Sequence, residues 1–156
     1  MKVNTRLSLL TGALLSVLLL GSTAVSADQA YHTERLEFQP VGGAPDLRAG
    51  HVINAHSNGP IRYAHETYMV NGARANETYD VVIQVFFGSD CTGSPDVALT
   101  TAVIETGGKG QGHASHVFVP ADVAPFNPPV TIHAQWVLER NGTVDYQTRC
   151  TVINLD

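Results

Sequence analysis

Histidine is the residue type whose abundance most suggests chemistry in this sequence, with seven among 156 residues. Imidazole is a common ligand of zinc and copper in proteins. His113 and His116 are the closest pair, but a spacing of three on a β-strand directs two side chains to opposite faces. They could share an ion only if His113 belonged to the glycine-rich segment before it. His113, His116 and His133 are therefore candidate metal ligands, against the alternative that the histidines are exposed or hydrogen-bonded in the core, and we expect no cofactor.

The two cysteines, Cys91 and Cys150, are the second chemically distinctive feature. Outside the cytoplasm, an even number of cysteines is most simply explained by a disulfide bond. This bond would close a loop spanning 59 residues, for which the chain-entropy model gives a stabilisation of roughly 4 kcal/mol. A Cys-x-x-Cys spacing, which lowers the pKa of a reactive thiol, is absent from the sequence. We therefore expect a structural disulfide.

Catalytic residues are not indicated by any short motif. The sequence contains no Gly-x-Ser-x-Gly, no His-Glu-x-x-His and no Ser-x-x-Lys. Ser115 lies between two histidines, but neighbours along a strand do not point at each other. The acidic residues considered for paired-carboxylate chemistry are dispersed along the chain: Asp80, Asp90, Asp96, Asp122, Glu139 and Asp145. We expect a non-catalytic protein, with an enzyme that uses an unrecognised site as an alternative.

The first 27 residues have the three parts of an export signal. Lys2 and Arg6 supply positive charge, Leu7 to Leu20 is mostly apolar, and Val25 to Ala27 offers small residues to a signal peptidase. The apolar run has 14 residues, whereas a membrane-spanning helix needs about 20. Such a short signal is typical of bacterial export. The sequence therefore predicts a signal peptide over residues 1–27 and a secreted or periplasmic domain over residues 28–156.

Removal of this signal changes the charge balance. All 14 acidic residues but only seven of the nine Lys and Arg residues lie after residue 27, so the formal charge falls from −5 to −7. A scattered negative charge argues against nucleic acids and anionic membrane surfaces as partners. We expect a monomer that recognises a protein or glycan surface ligand and does not insert into a membrane.

The region after residue 27 shows the alternating hydrophobic pattern of β-strands. The clearest strand is Thr78 to Phe87, whose odd-numbered residues form an apolar face. Seven or eight short strands separated by turn signals predict an all-β, antiparallel two-sheet sandwich of immunoglobulin-like shape. The predicted strands are Thr33–Phe38, His51–His56, Ile61–Val70, Thr78–Phe87, Val97–Thr106, His113–Val119, Val130–Glu139 and Val144–Leu155, with a turn at Ser57–Pro60.

The last two predicted strands allow a prediction of register. A two-residue turn at Asn141-Gly142 would set Trp136 opposite Gln147 and mix apolar with polar faces. We therefore expect a three-residue loop, Arg140-Asn141-Gly142, in which Gly142 forms a bulge. Trp136 would then face Tyr146. The same register pairs Leu138 with Val144 and Ile132 with Cys150, and it directs Cys150 into the core.

These features together favour a binding or accessory function. The signal peptide, the β-pattern and the lack of a recognisable nucleophile predict a secreted, non-catalytic module. An exported metal-binding protein that uses the candidate histidines for zinc or copper is the first alternative.

Overall fold

The computed structural model describes residues 32–56 and 64–155. The predicted signal peptide, the predicted turn at Ser57–Pro60 and the start of the predicted strand at Ile61 lie outside the described residues. Within the described residues, no helix is long and apolar enough to cross a membrane.

Ten strands make up most of the described chain. One α-helical turn, α1 (Pro120–Val123), and a 3₁₀ turn (Ala124–Phe126) lie between the seventh and eighth strands. The strands are β1 (His32–Glu37), β2 (Gln39–Pro40), β3 (Ala49–His56), β4 (Ala64–Asn71), β5 (Thr78–Phe86), β6 (Val97–Glu105), β7 (Gln111–Phe118), β8 (Val130–Arg140), β9 (Thr143–Gln147) and β10 (Thr151–Leu155).

The strands form two antiparallel sheets, as the sequence predicted. Sheet A has the order β1-β3-β4-β7, and sheet B has the order β2-β9-β8-β5-β6, with β10 also paired to β8. β9 and β10 are two parts of the single strand predicted over Val144–Leu155, and β2 has only two residues. With β9 and β10 counted as one strand and β2 left out, the count is eight, in agreement with the prediction. The prediction of an all-β sandwich is confirmed.

The core lies between the two sheets and follows the predicted alternation along β5. Tyr79, Val81, Ile83 and Val85 are buried. Phe87 was assigned to the same face, but it is 54% exposed. That assignment is wrong because β5 ends at Phe86. Phe87 lies beyond the strand, and its backbone N–H donates to the Asp96 carboxylate at 2.7 Å. The largest fully buried side chains are Trp136, Tyr68, Tyr79, Tyr146, Leu36, Ile104 and Leu138.

The turn between β8 and β9 differs from the prediction. Arg140 pairs with Thr143, so Asn141 and Gly142 form a two-residue turn, with φ angles of 53° and 73°. Positive φ at both positions is the requirement of a type I′ hairpin turn. The expected three-residue loop, and with it the pairing of Trp136 with Tyr146, is wrong.

A bulge at Asp145 explains how the two-residue turn is compatible with the apolar pattern. Glu139 pairs with Val144 but Leu138 pairs with Tyr146, so Asp145 is an extra residue on β9. Because a bulge shifts the alternation by one residue, Leu138 and Tyr146 both point into the core. The pairing predicted between Leu138 and Val144 is therefore wrong as well.

The bulge also turns the Asp145 side chain into the protein interior. Its carboxylate Oδ2 accepts hydrogen bonds from Arg140 Nε at 2.9 Å and from the Tyr79 hydroxyl at 3.3 Å. Arg74 Nε lies 3.4 Å from the same oxygen. Two cations and a hydroxyl therefore compensate a carboxylate that would be costly to bury alone.

The Cys91–Cys150 disulfide is present, with the two Cα atoms 5.6 Å apart. Cys150 is exposed, however, and Ile132 pairs with Ile153 instead. The expected core position of Cys150 is wrong because β9 ends at Gln147 and β10 resumes pairing with β8 in a shifted register. The disulfide thus joins the surface loop after β5 to the break between β9 and β10.

The connection between β6 and β7 passes from one sheet to the other and depends on Gly110. Its carbonyl accepts hydrogen bonds from the backbone of Gly72 at 3.0 Å and of Ala73 at 3.1 Å. Gly110 has a φ of +69°, and a Cβ added there would lie 1.9 Å from the Ala73 carbonyl oxygen. A side chain is therefore excluded both by the left-handed backbone and by the contact.

We expect Gly110→Ala to lower the free energy of unfolding by at least about 2 kcal/mol, measured by urea denaturation with Trp136 fluorescence. Gly93→Ala is the matched control, since Gly93 has a φ of +80° but nothing within 4 Å of an added Cβ. The control should lose only about 1 kcal/mol. Equal losses in the two variants would contradict the proposed contact.

Candidate functional site

The structure does not bring the three candidate histidines together. His113 and His116 lie on opposite faces of β7, and His133 lies on β8 of the other sheet. The His116 ring packs against Phe118, with ring centroids 4.5 Å apart. Within the two described ranges, no group of three or more His, Cys, Asp or Glu side chains could hold a metal ion.

A different set of polar residues crosses the inner face of sheet A. Glu34 pairs with Asn54, Asn54 with Glu66, and Glu66 with His116. Residues directly opposite each other in antiparallel strands point to the same face. Asn54 and Glu66 in the centre of this row are only 2% and 1% exposed. The row therefore places an amide and a carboxyl group side by side inside the sandwich.

Glu66 is held by hydrogen bonds from both sheets. Trp136 on β8 donates its indole N–H to Glu66 Oε2 at 2.8 Å. Tyr68, two residues from Glu66 on β4, donates its hydroxyl to the same oxygen. Both donors are buried. Because Oε2 already accepts two bonds, the proton of the neutral acid belongs on Oε1.

A second bulge extends this network to the edge strand of sheet B. Val81 pairs with Ala102 but Val82 pairs with Thr100, so Thr101 is the extra residue on β6. Its hydroxyl lies 2.8 Å from the Tyr68 hydroxyl and donates to the Val81 carbonyl at 3.3 Å. The bulge thus places Thr101 where it can fix the position of Tyr68.

A cavity of about 50 Å³ adjoins Asn54 and Glu66 at one end of the sandwich. Its polar wall comes from sheet A, and its opposite wall is formed by aliphatic residues of sheet B, among them Ile83, Val85 and Ile132. α1 and the 3₁₀ turn contribute Asp122, Val123 and Phe126 to its lining. The cavity is therefore amphipathic and large enough for a few water molecules or a small head group.

Asn54 is the least satisfied polar residue of this cavity. Its Oδ1 atom is buried and has no hydrogen-bond partner among the residues that the structure describes. A buried acceptor left without a partner costs about 1–3 kcal/mol. Most buried polar groups in folded proteins are paired. The Asn54 Oδ1 atom is therefore the point in this cavity at which a ligand would supply a hydrogen bond.

Burial raises the pKa of Glu66 to about 7, although the hydrogen bonds from Tyr68 and Trp136 act in the opposite direction. Burial, followed by the nearby Glu66 charge, also raises the pKa of the Tyr68 hydroxyl. Glu66 therefore changes between a neutral acid and a carboxylate near neutral pH, while Tyr68 stays a hydrogen-bond donor. The site offers acceptors at Asn54 and, above about pH 7, at Glu66.

Sequence reasoning missed both central residues. Glu66 was not among the carboxylates considered, yet it shares the alternating phase of Ala64, Tyr68 and Val70 on β4. An acidic residue in phase with an apolar face was the signal that could have identified it. Asn54 is likewise in phase with Val52 on β3. Their proximity, in contrast, depends on the register between the two strands.

The chain has no significant similarity to any protein-family model, curated protein or solved structure with which it was compared. Its function must therefore be inferred from the chemistry of this site.

The raised pKa of Glu66 predicts a specific pH dependence of stability. The folded protein holds the proton more tightly than the unfolded chain, whose reference pKa is 4.5. This contribution is therefore complete below pH 4.5 and is lost as the pH rises through about 7, a decrease of about 3 kcal/mol in the free energy of unfolding. Glu66→Gln should remove this decrease from urea denaturation profiles measured between pH 4.5 and 8.

The exposed Glu105 provides the control for this experiment, because Glu105→Gln changes the same functional group outside the core. That variant should keep the pH profile of the unsubstituted protein. Parallel profiles for Glu66→Gln and the unsubstituted protein would show that Glu66 is already ionised in the folded state at acidic pH.

Proposed function

We propose that this chain is an exported, non-catalytic binding module that accepts the head group of a small amphipathic molecule at Asn54 and Glu66. The observation that carries the proposal is the buried Oδ1 of Asn54, which has no partner in the described part of the chain and lies beside an open, largely apolar cavity. The ligand supplies the hydrogen-bond donor that Asn54 Oδ1 does not find among the described residues.

The stability cost of Asn54 supports a binding role over a purely structural one. A leucine of similar size at this position would pack against the aliphatic wall and would leave no buried acceptor unpaired. Residues that conflict with the local folding preference are expected where function requires them. Glu66, in contrast, is already bonded to Trp136 and Tyr68 and is therefore oriented before any ligand enters.

The chemistry of the polar wall selects the head group. The amide oxygen of Asn54 accepts a hydrogen bond, and the Glu66 carboxylate does so above its pKa of about 7. A hydroxyl, amide or ammonium group can donate to these oxygens, whereas a carboxylate head group would be repelled by Glu66. The formal charge of −7 after residue 27 also favours a cationic over an anionic ligand.

The apolar part of the ligand would extend from the cavity towards the surface. Leu99, which is 41% exposed, and Phe126 both line the cavity together with the aliphatic wall. Burial of a short alkyl chain along these residues contributes about 0.8 kcal/mol per methylene group. The head group thus gives orientation, and the chain gives most of the affinity.

Export of the chain is part of the same proposal. The disulfide between Cys91 and Cys150 is typical of proteins in oxidising compartments. It supports the secreted or periplasmic location that the predicted bacterial signal peptide implies. The immunoglobulin-like form of the sandwich stays a prediction, as does a protein or glycan as the carrier of the donor group.

Binding can be followed through Trp136, the only tryptophan of the chain, because its indole N–H bonds directly to Glu66. We expect hexylammonium and hexanol to shift the indole ¹H–¹⁵N signal in a saturable way, and hexanoate to bind more weakly than either. The affinity for hexylammonium should rise between pH 6 and 8 as Glu66 ionises.

Asn54→Leu should abolish the saturable shift and raise the free energy of unfolding by about 1 kcal/mol, since it removes an unpaired buried acceptor. Asn71→Leu is the matched control, because Asn71 Oδ1 is also buried without a partner in residues 32–56 and 64–155 but lies outside this cavity. The control should bind normally. Undiminished binding by Asn54→Leu, or no binding by any of the three probes, would refute the proposed function.

A further inference from the structure

The outer face of sheet A carries a row of potential metal ligands on three adjacent strands. His51 on β3 pairs with Met69 on β4, and Met69 pairs with His113 on β7. Side chains directly opposite each other on neighbouring antiparallel strands have Cβ atoms about 5 Å apart. Two imidazoles therefore flank one thioether on the same face of the sheet.

The spacing allows all three side chains to meet one ion. The two histidines are separated by two interstrand distances, or about 10 Å. Bonds from a metal to an imidazole nitrogen are about 2 Å long. Two histidine rings that lean towards the central strand can therefore reach an ion held above the Met69 sulfur, without any movement of the backbone.

The surroundings of the row leave it open to solvent and keep its ligands available. His113 is exposed and Met69 is half-buried, and shallow depressions lie on both sides of this pair. His51 Nδ1 is buried and has no hydrogen-bond partner within the described part of the chain. No hydrogen bond at Nδ1 therefore opposes a rotation of this ring towards the ion.

The identity of the ligands points to a soft monovalent ion. Thioether sulfur favours Cu(I) and similar soft ions, whereas zinc and hard cations prefer thiolate, imidazole or oxygen ligands. Glu37 is the next residue in the row, opposite His51, but its carboxylate is bonded to Arg35 Nε at 2.7 Å. The carboxylate of this row is thus already paired with a cation.

We propose that His51, Met69 and His113 form a binding site for a soft monovalent cation, Cu(I) or Ag(I). The site lies on the opposite face of sheet A from Asn54 and Glu66, so it is independent of the ligand cavity. It differs from the sequence-based set, because only His113 is common to both, and the sulfur ligand was not considered there.

Met69 gives the experiment a specific signal, because Met1 is the only other methionine in the chain. The protein is labelled with ¹³C at the methionine methyl groups and titrated with Ag(I), which undergoes no redox change. We expect the Met69 methyl resonance to shift and to saturate at one equivalent. Cu(I), added under reducing conditions, should produce a similar shift, and Zn(II) should leave this resonance in place.

Substitutions of single ligands distinguish Ag(I) binding at this site from adventitious binding elsewhere on the protein. Met69→Leu conserves volume, and it should weaken Ag(I) binding at least about tenfold, since even outer-shell changes weaken metal binding by about 10–100-fold. His113→Asn should do the same. His65→Asn is the control, because His65 lies exposed on the same face of β4, about 13 Å along the strand from Met69.

The Trp136 indole signal verifies that each variant is folded. Unchanged Ag(I) affinity in folded Met69→Leu, or an Ag(I) titration that leaves the Met69 methyl resonance unmoved, would overturn the proposal. A Zn(II) affinity that exceeds that for Ag(I) and depends on Met69 would overturn the assignment to soft ions.

Discussion

The hydrogen bonds that converge on the Glu66 carboxyl are the constraint on which this sandwich depends. Trp136 reaches it from sheet B across 70 residues of sequence, and Tyr68 connects it to Thr101 on the edge strand of that sheet. Apolar contacts alone tolerate small shifts between packed sheets, whereas hydrogen bonds in a medium of low dielectric constant are lost when their geometry changes. The polar network therefore fixes the position of one sheet relative to the other, and it needs no buried counter-charge while Glu66 is neutral.

The sequence predicted the sandwich because the alternation of apolar residues survives in its central strands. The residues that β5 and β8 contribute to the core cluster, among them Ile83 and Trp136, lie in the expected alternating phase. The pattern could not predict the strand register where a bulge changes the phase of the alternation, as at Thr101 and Asp145. At Asp145, the assumption of an unbroken strand led to the wrong turn and placed Cys150 in the core. The extra residue at each bulge is polar, and its side chain lies within hydrogen-bonding distance of a tyrosine hydroxyl on another strand. These contacts explain where the two bulges occur.

The candidate sites were less predictable than the fold for a related reason. Each consists of residues that are distant in sequence and become neighbours through strand register, as Asn54 and Glu66 do within sheet A. Phase along a single strand could have shown that Glu66 faces inward, but not which residue lies opposite. The spacing of His113 and His116 indicated opposite faces of one strand, as observed on β7, but it could not show that Met69 lies beside His113. Local motifs therefore carry little information about function in a sandwich of this kind.

The position of the disulfide has a mechanical consequence. A force that pulls residues 32 and 155 apart passes along β1 to β5, reaches Cys91, crosses to Cys150 and continues through β10. The 59 residues between the cysteines are bypassed, which shortens the extended chain by about 200 Å at roughly 3.5 Å per residue. β6, β7, β8 and β9 all lie within this segment. Stretching would therefore extend the segments outside the bridge, which contain β1 to β5 and β10, while the segment between the two cysteines bears no tension.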